Sequence, residues 1–170
     1  MTHHVRVAGR DDADAIGRLL CAFNREFDEP TPEPPALAER MRQLLDGGDT
    51  LVMLAGDGSD GSDGSDGGNG PDGGDEPDGL AVLRFRAAIW STGLECYLAE
   101  LYVTPARRGQ GLGRALMEAA LREARNRGAD TMDIGVDEPD LAARRLYESL
   151  GFTNRAGEDG PVMYVYERDL

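Results

Sequence analysis

Arg108-Gly109-Gln110-Gly111-Leu112-Gly113 is the stretch of this 170-residue chain whose residue types and spacing suit chemistry best. The apolar run Leu98 to Val103 precedes it and reads as a strand, and Arg114 to Arg127 follows with helical spacing. A glycine-rich turn between a strand and a helix is a place for phosphate. The first-turn N–H groups of a helix have no helical partners and lie at the positive end of its dipole. Glycine lets an anion approach the backbone and accepts φ values that other residues avoid. The turn is not a P-loop, because no Gly-Lys-Ser/Thr follows the glycines. Nor is it the dinucleotide fingerprint: Arg-x-x-Gly-x-Gly lacks the third glycine, and no early βαβ unit surrounds it. Taken alone, such a turn is equally well a tight connection that binds nothing.

The other reactive residue types offer less. Cys21 and Cys96 are far apart and fall in a predicted helix and a predicted strand, where a small buried thiol is the simplest reading. His3 and His4 are the only histidines, and with two isolated cysteines they do not make ligand spacing, so no metal is expected. The net charge of −14 is concentrated in one place: residues 57–79 hold eight acids and no base, which leaves 24 acids against 18 bases elsewhere. No basic footprint for nucleic acid remains. No run approaches the ~20 apolar residues that span a bilayer, and Met1 to Arg6 has no apolar signal core. The expectation is a cytoplasmic protein with no nucleic-acid or membrane partner.

The elements that must position the turn are legible from periodicity. Val5 to Val7 alternates as a short strand. Asp11 and Asp12 offer an N-cap, and Ile16, Leu19, Leu20, Phe23 and Phe27 give residues 13–27 an amphipathic helical face. Prolines break that helix; Pro35 suits the first turn of a second one, with Leu37, Met41, Leu44 and Leu45 on its apolar face and Gly47 and Gly48 after it. Thr50 to Ala55 reads as a strand. Residues 56–79 are built largely from repeated Gly-Ser-Asp and Gly-Asp units with no aromatic or aliphatic side chain, so they bury too little to offset their ordering entropy and should form a disordered acidic insertion in a single domain, 1–170. They also lack the bidentate glutamate of an EF-hand. Leu80 to Trp90 and Leu94 to Val103 flank the turn Ser91-Thr92-Gly93 as a hairpin.

Beyond the glycine turn, Leu116, Met117, Ala120, Leu121 and Ala124 form one apolar helix face, and Gly128 ends it. Thr131 to Val136 then reads as a strand parallel to Leu98–Val103. Pro139-Asp140 opens a helix carrying Ala143, Leu146, Tyr147 and Leu150; Gly151 takes the position after its end, with Phe152 folding back. Val162 to Tyr166 alternates as a last strand. The order β-α-α-β-β-β-α-β-α-β implies an α/β (α+β-like) fold: one mixed sheet with helices on both faces.

Two segments together resemble a known family. Val103-x-Pro105-x-x-Arg108-Gly109-Gln110-Gly111-Leu112-Gly113-Arg114-x-Leu116-Met117 is similar to the acyl-CoA motif of the GNAT superfamily of N-acetyltransferases. Ala143-x-x-Leu146-Tyr147-Glu148-x-Leu150-Gly151-Phe152 resembles its second signature at the expected distance, and the element order agrees from Val5 to Tyr166.

The resemblance implies a mostly antiparallel central sheet with two parallel, splayed strands. It implies that backbone N–H groups from Arg108 through Gly109, Gln110, Gly111, Leu112 and Gly113 to Arg114 hold the pyrophosphate of acetyl-CoA, the cosubstrate. Leu101, Tyr102 and Val103 would pair with its pantetheine amides like an added strand. A strand N–H near Tyr102 or Val103 would meet the oxyanion. Tyr147 matches the family tyrosine that protonates the leaving thiolate, and Glu100 lies where many members carry the acid that takes a proton from the amine. Asp140 stands where the family often has asparagine; it can still cap a helix but brings no amide donor to the cofactor. The activity implied is direct transfer of acetyl to an amine in a ternary complex. A small-molecule primary amine is the first choice of acceptor and a protein or peptide amine the second. A non-catalytic acyl-CoA-binding sensor is the rival reading, and members are often homodimers.

Overall fold

The computed structural model describes residues 3–56 and 76–170. Most of the acidic insertion expected at 56–79 therefore lies outside the described residues. Among the described residues the order is β1 (His4–Val7), α1 (Ala13–Glu26), α2 (Pro34–Asp46), β2 (Thr50–Gly56), β3 (Gly79–Ala87), β4 (Leu94–Val103), α3 (Leu112–Asn126), β5 (Ala129–Ile134) and α4 (Leu141–Ser149). Short 3₁₀ turns stand at Arg10–Asp12 and Pro105–Arg107. No helix among these residues is long and apolar enough to cross a membrane. The chain divides into two units, Met1–Asp133 and Ile134–Leu170.

In the first unit the strands form one sheet in the order β1-β2-β3-β4-β5. β1 through β4 pair antiparallel, and β5 joins β4 in parallel. Val52 opposes Val82 and Leu54 opposes Leu80, and these side chains pack with Ile16, Leu19, Met41 and Tyr102 beneath α1 and α2. Leu51, Met53, Ala81 and Leu83 alternate with them and so face the other way. They are all buried, and α3, which lies against β2, β3 and β4, brings Leu112, Leu116, Met117 and Ala120 to them. Strand period and helix period thus build two apolar layers, one on each face of the sheet.

Several local expectations shift. Asp12 precedes α1 but does not cap it: its carboxylate accepts from the Gly9 amide at 2.7 Å and from Arg6 at 2.6 and 2.8 Å, closing the 3₁₀ turn instead. The predicted strand 131–136 begins and ends two residues earlier, because Gly128, at φ 83°, turns the chain at once and its carbonyl accepts from Leu94 at 2.9 Å. The β3–β4 ladder also slips: Val82 opposes Glu100 but Leu83 opposes Leu98, so Ala99 is an extra residue in β4. Such a bulge bends its strand and sharpens the local twist.

In the second unit α4 has closed ends. Asp140 Oδ1 accepts from the Ala143 amide at 3.0 Å. At the other end Phe152 N–H donates to Tyr147 O at 3.1 Å and Gly151 N–H to Glu148 O at 3.1 Å, with Gly151 at φ 89°. This is a Schellman motif, and it brings the Phe152 ring edge-on to Tyr147, centroids 6.0 Å apart. The expected last strand, Val162 to Tyr166, does not form. The segment makes one isolated bridge, Val162 to Arg155, and its side chains are exposed. Alternation gives a strand only where a neighbouring ladder pairs with it, and this unit supplies only that bridge.

Candidate functional site: the β4–α3 turn and its surroundings

The turn between β4 and α3 is shaped by its glycines. Gly109 has φ 73° and Gly111, the residue before α3, has φ 92°, both in the left-handed region where a side chain is strained. The helix starts at Leu112, two residues earlier than its apolar periodicity predicts, and its first bond runs from the Ala115 amide to the Gly111 carbonyl at 3.0 Å. Leu112, Gly113 and Arg114 therefore occupy the first turn, ahead of any helical acceptor. Among the described residues, the amides of Gly109, Gln110, Gly111, Leu112 and Gly113 make no backbone–backbone hydrogen bond.

The side chains of the turn are anchored from outside it. Arg108 donates Nε–H to the Val103 carbonyl at 2.9 Å, and its two terminal nitrogens meet the Glu26 carboxylate at 2.6 and 2.7 Å. Its guanidinium lies 5.7 Å from the centre of the Tyr102 ring, against which Phe23 also packs at 5.4 Å. Hydrogen bonding from Arg108 holds the Glu26 carboxyl below the usual carboxylate range. Gln110 Nε2 donates to the Ala106 carbonyl at 3.1 Å, and the Gln110 carbonyl accepts from His3 Nε2 at 2.7 Å. Arg114 pairs with Glu118 one turn along α3, at 3.7 Å. Neither Glu26 nor His3 is marked on sequence grounds as a partner of the turn. No short-range spacing marks either one; Glu26 is 82 residues from Arg108, and His3 is 107 from Gln110.

β4 delivers the next group. Leu101 opposes Ala81 on the α3 side, while Tyr102 and Glu100 oppose Leu80 and Val82 on the α1–α2 side. Tyr102 is buried, and burial raises its phenol. Glu100 is half-buried just beyond the bulge, and among the described residues no hydrogen bond or ion pair reaches its carboxylate. Loss of solvation alone pushes its pKa up. That makes it a better proton acceptor than an exposed glutamate.

Tyr147 belongs to the second unit, on α4. It is buried, and its phenol is pushed up to about 12, first by burial and then by the charge of Asp140. Asp140 spends one carboxylate oxygen on the Ala143 amide, as an N-cap does. Both cysteines are free and buried. Burial pushes the Cys96 thiol up to about 11, with Asp133 adding to the rise, so it is not a ready nucleophile.

Comparison with known proteins places this arrangement. The family model described as "Acetyltransferase (GNAT) family" matches residues 72–152, a span that holds β4, the glycine turn, α3 and Tyr147. A solved structure from Arthrobacter sp. FB24, whose acetyltransferase assignment is provisional, superposes with a TM-score of 0.81 at 40% identity, covering 98% of this chain and 96% of that one. An aminoglycoside acetyltransferase from an uncultured soil metagenomic sample, in complex with sisomicin, shares the fold at a TM-score of 0.71 and 16% identity, covering 98% and 97%. The mycothiol acetyltransferase of Thermobispora bispora is 52% identical over 64 residues, 36% of this chain but only 22% of that protein. The L-methionine sulfoximine/L-methionine sulfone acetyltransferase of Salmonella typhimurium is 45% identical over 53 residues, 31% of each. The two motifs, the sheet order and a full-length relative at 40% identity agree: the chain belongs to the GNAT acetyltransferase family.

Proposed function

We propose that the protein is an N-acetyltransferase that uses acetyl-CoA as cosubstrate and acetylates a primary amine of a small molecule. One observation carries the reading: two left-handed glycines hold a turn whose amides, from Gly109 to Gly113, are not spent on backbone partners among the described residues. Those amides, with Arg114 next in the first turn, suit a diphosphate at the positive end of α3; the Arg108 amide is already given to the Pro105 carbonyl at 3.4 Å. The main chain of Leu101, Tyr102 and Val103 would extend along the pantetheine arm. The relatives named for mycothiol and for methionine sulfoximine support a small acceptor.

The reaction follows in balanced steps. The uncharged amine nitrogen attacks the thioester carbonyl carbon, and a strand N–H near Tyr102 or Val103 receives the oxyanion. Glu100 takes the proton that nitrogen gives up, directly or through water. The carbon–sulfur bond then breaks, and Tyr147 donates a hydrogen bond to the departing sulfur. A phenol near 12 is a weaker acid than an ordinary thiol, at about 8.5, so full transfer from tyrosine to sulfur runs uphill. Tyr147 therefore steadies the sulfur, and the proton that Glu100 took from the amine passes through water to the thiolate, which returns Glu100 to its carboxylate. An amide and a thiol leave.

Incubation of acetyl-CoA with a panel of amines, reading thiol release, tests this. Release that requires both an amine and Glu100 supports it. Thermal stabilisation by acetyl-CoA with no turnover for small amines or peptides would replace it with an acyl-CoA-binding sensor.

A further inference from the structure

α1 and the glycine turn are remote in sequence yet share one charged contact. Glu26 is the last residue of α1, and its carboxylate takes both terminal nitrogens of Arg108 at 2.6 and 2.7 Å. A two-pronged guanidinium–carboxylate pair fixes direction as well as distance. The same guanidinium spends its Nε–H on the Val103 carbonyl at 2.9 Å, the last residue of β4. Its position near the C-terminus of α1 also suits that helix's dipole. Beside the pair, Phe23 and Phe27 of the same helix end pack at 5.3 Å, and Phe23 reaches Tyr102 at 5.4 Å. The end of α1 thus grips both the last residues of β4 and the first residue of the turn.

We propose that Glu26 is a positioning residue for acetyl-CoA: acting through Arg108, it fixes the exit of β4 and sets the affinity of the turn for the cosubstrate. This rests on the transferase reading for its ligand. A Glu26→Gln side chain keeps the shape but loses the charge. Arg108 then regains rotamer freedom, the Val103 carbonyl keeps its donor only part of the time, and the amides of 108–113 spread over more arrangements. The pair is partly exposed, so the effect is modest.

The test is a cycle of Glu26→Gln, Arg108→Gln and the double variant, with acetyl-CoA affinity measured by calorimetry and amide hydrogen exchange followed over 108–113. Glu26→Gln should weaken acetyl-CoA binding about two- to fivefold, leave kcat at saturating cosubstrate unchanged, and speed exchange in the turn. In the Arg108→Gln background the same change should cost less, since the hydrogen bond to Tyr102 is then what Glu26 still holds. Unchanged affinity in Glu26→Gln, or a loss that adds in full to that of Arg108→Gln, overturns the proposal. Should the wild-type protein not bind acetyl-CoA, the transferase reading falls. The exchange rates then decide whether Glu26 holds the turn at all.

Discussion

Glu100 stands directly across the β3–β4 ladder from Val82, one residue beyond the extra residue Ala99. A carboxylate paired with a valine on a packed face has lost solvation without gaining a cation, and its pKa rises for that reason alone. The folded value lies above the unfolded one, so ionisation disfavours the folded state. Stability from this group is greatest below the unfolded value and falls as pH rises through the folded one. Glu100→Gln should therefore raise Tm at neutral pH while lowering kcat/KM about 10²-fold. The acidic limb of the wild-type kcat/KM profile should lie above the ordinary glutamate value and vanish in the variant. A pH profile that keeps this limb in Glu100→Gln assigns the proton transfer to another group.

Tyr147 tests the leaving-group step separately. Its phenol stays protonated throughout the neutral range, since burial and the Asp140 charge push it up to about 12. Tyr147→Phe keeps the ring against Phe152 but removes the donor. The expected result is a fall in kcat of about 10²-fold with acetyl-CoA affinity unchanged. Steady-state kinetics beside calorimetric affinity separate the two quantities. A loss confined to affinity would make Tyr147 a binding residue.

The glycines of the turn predict a graded pair. Gly109 and Gly111 both hold left-handed backbone, which costs a side chain about 1–2 kcal/mol. Around Gly109 there is nothing within 4 Å of an added Cβ, whereas at Gly111 the His3 ring nitrogen lies 3.4 Å away. Gly111→Ala should raise the KM for acetyl-CoA about tenfold, and more than Gly109→Ala does. Equal or absent effects on KM would mean the turn does not hold the cosubstrate.

Cys96 distinguishes direct transfer from a covalent route. Its thiol, pushed up to about 11 and buried, should resist alkylation at neutral pH until the protein unfolds. Cys96→Ala and Cys21→Ala should leave kcat within about twofold, while creating small cavities that lower Tm. An acetylated cysteine trapped after mixing with acetyl-CoA alone, and seen by mass spectrometry, would contradict direct attack.

What the sequence determined by itself is local. Apolar runs between turn signals set the central strands, which are buried on both faces, and period-3.6 spacing set the helices, each with one face to bury. Glycines at 109, 111 and 151 marked places where only a residue without Cβ turns cheaply, and Asp140 marked a helix start. The two motifs that carry the family resemblance are such local features, so they were readable without a fold. Other features required packing to be known. Leu98 and Leu101 lie three residues apart yet face α3 together only because Ala99 bulges out of the ladder, and the partner strand decides that. Val162 to Tyr166 has a strand's pattern and no extended ladder. Glu26 with Arg108, and His3 with Gln110, meet across 82 and 107 residues. Any of the many exposed acids could have met Arg108. Which one did depends on how α1 packs over the sheet, and that is fixed by the whole buried layer and not by the residues around either partner.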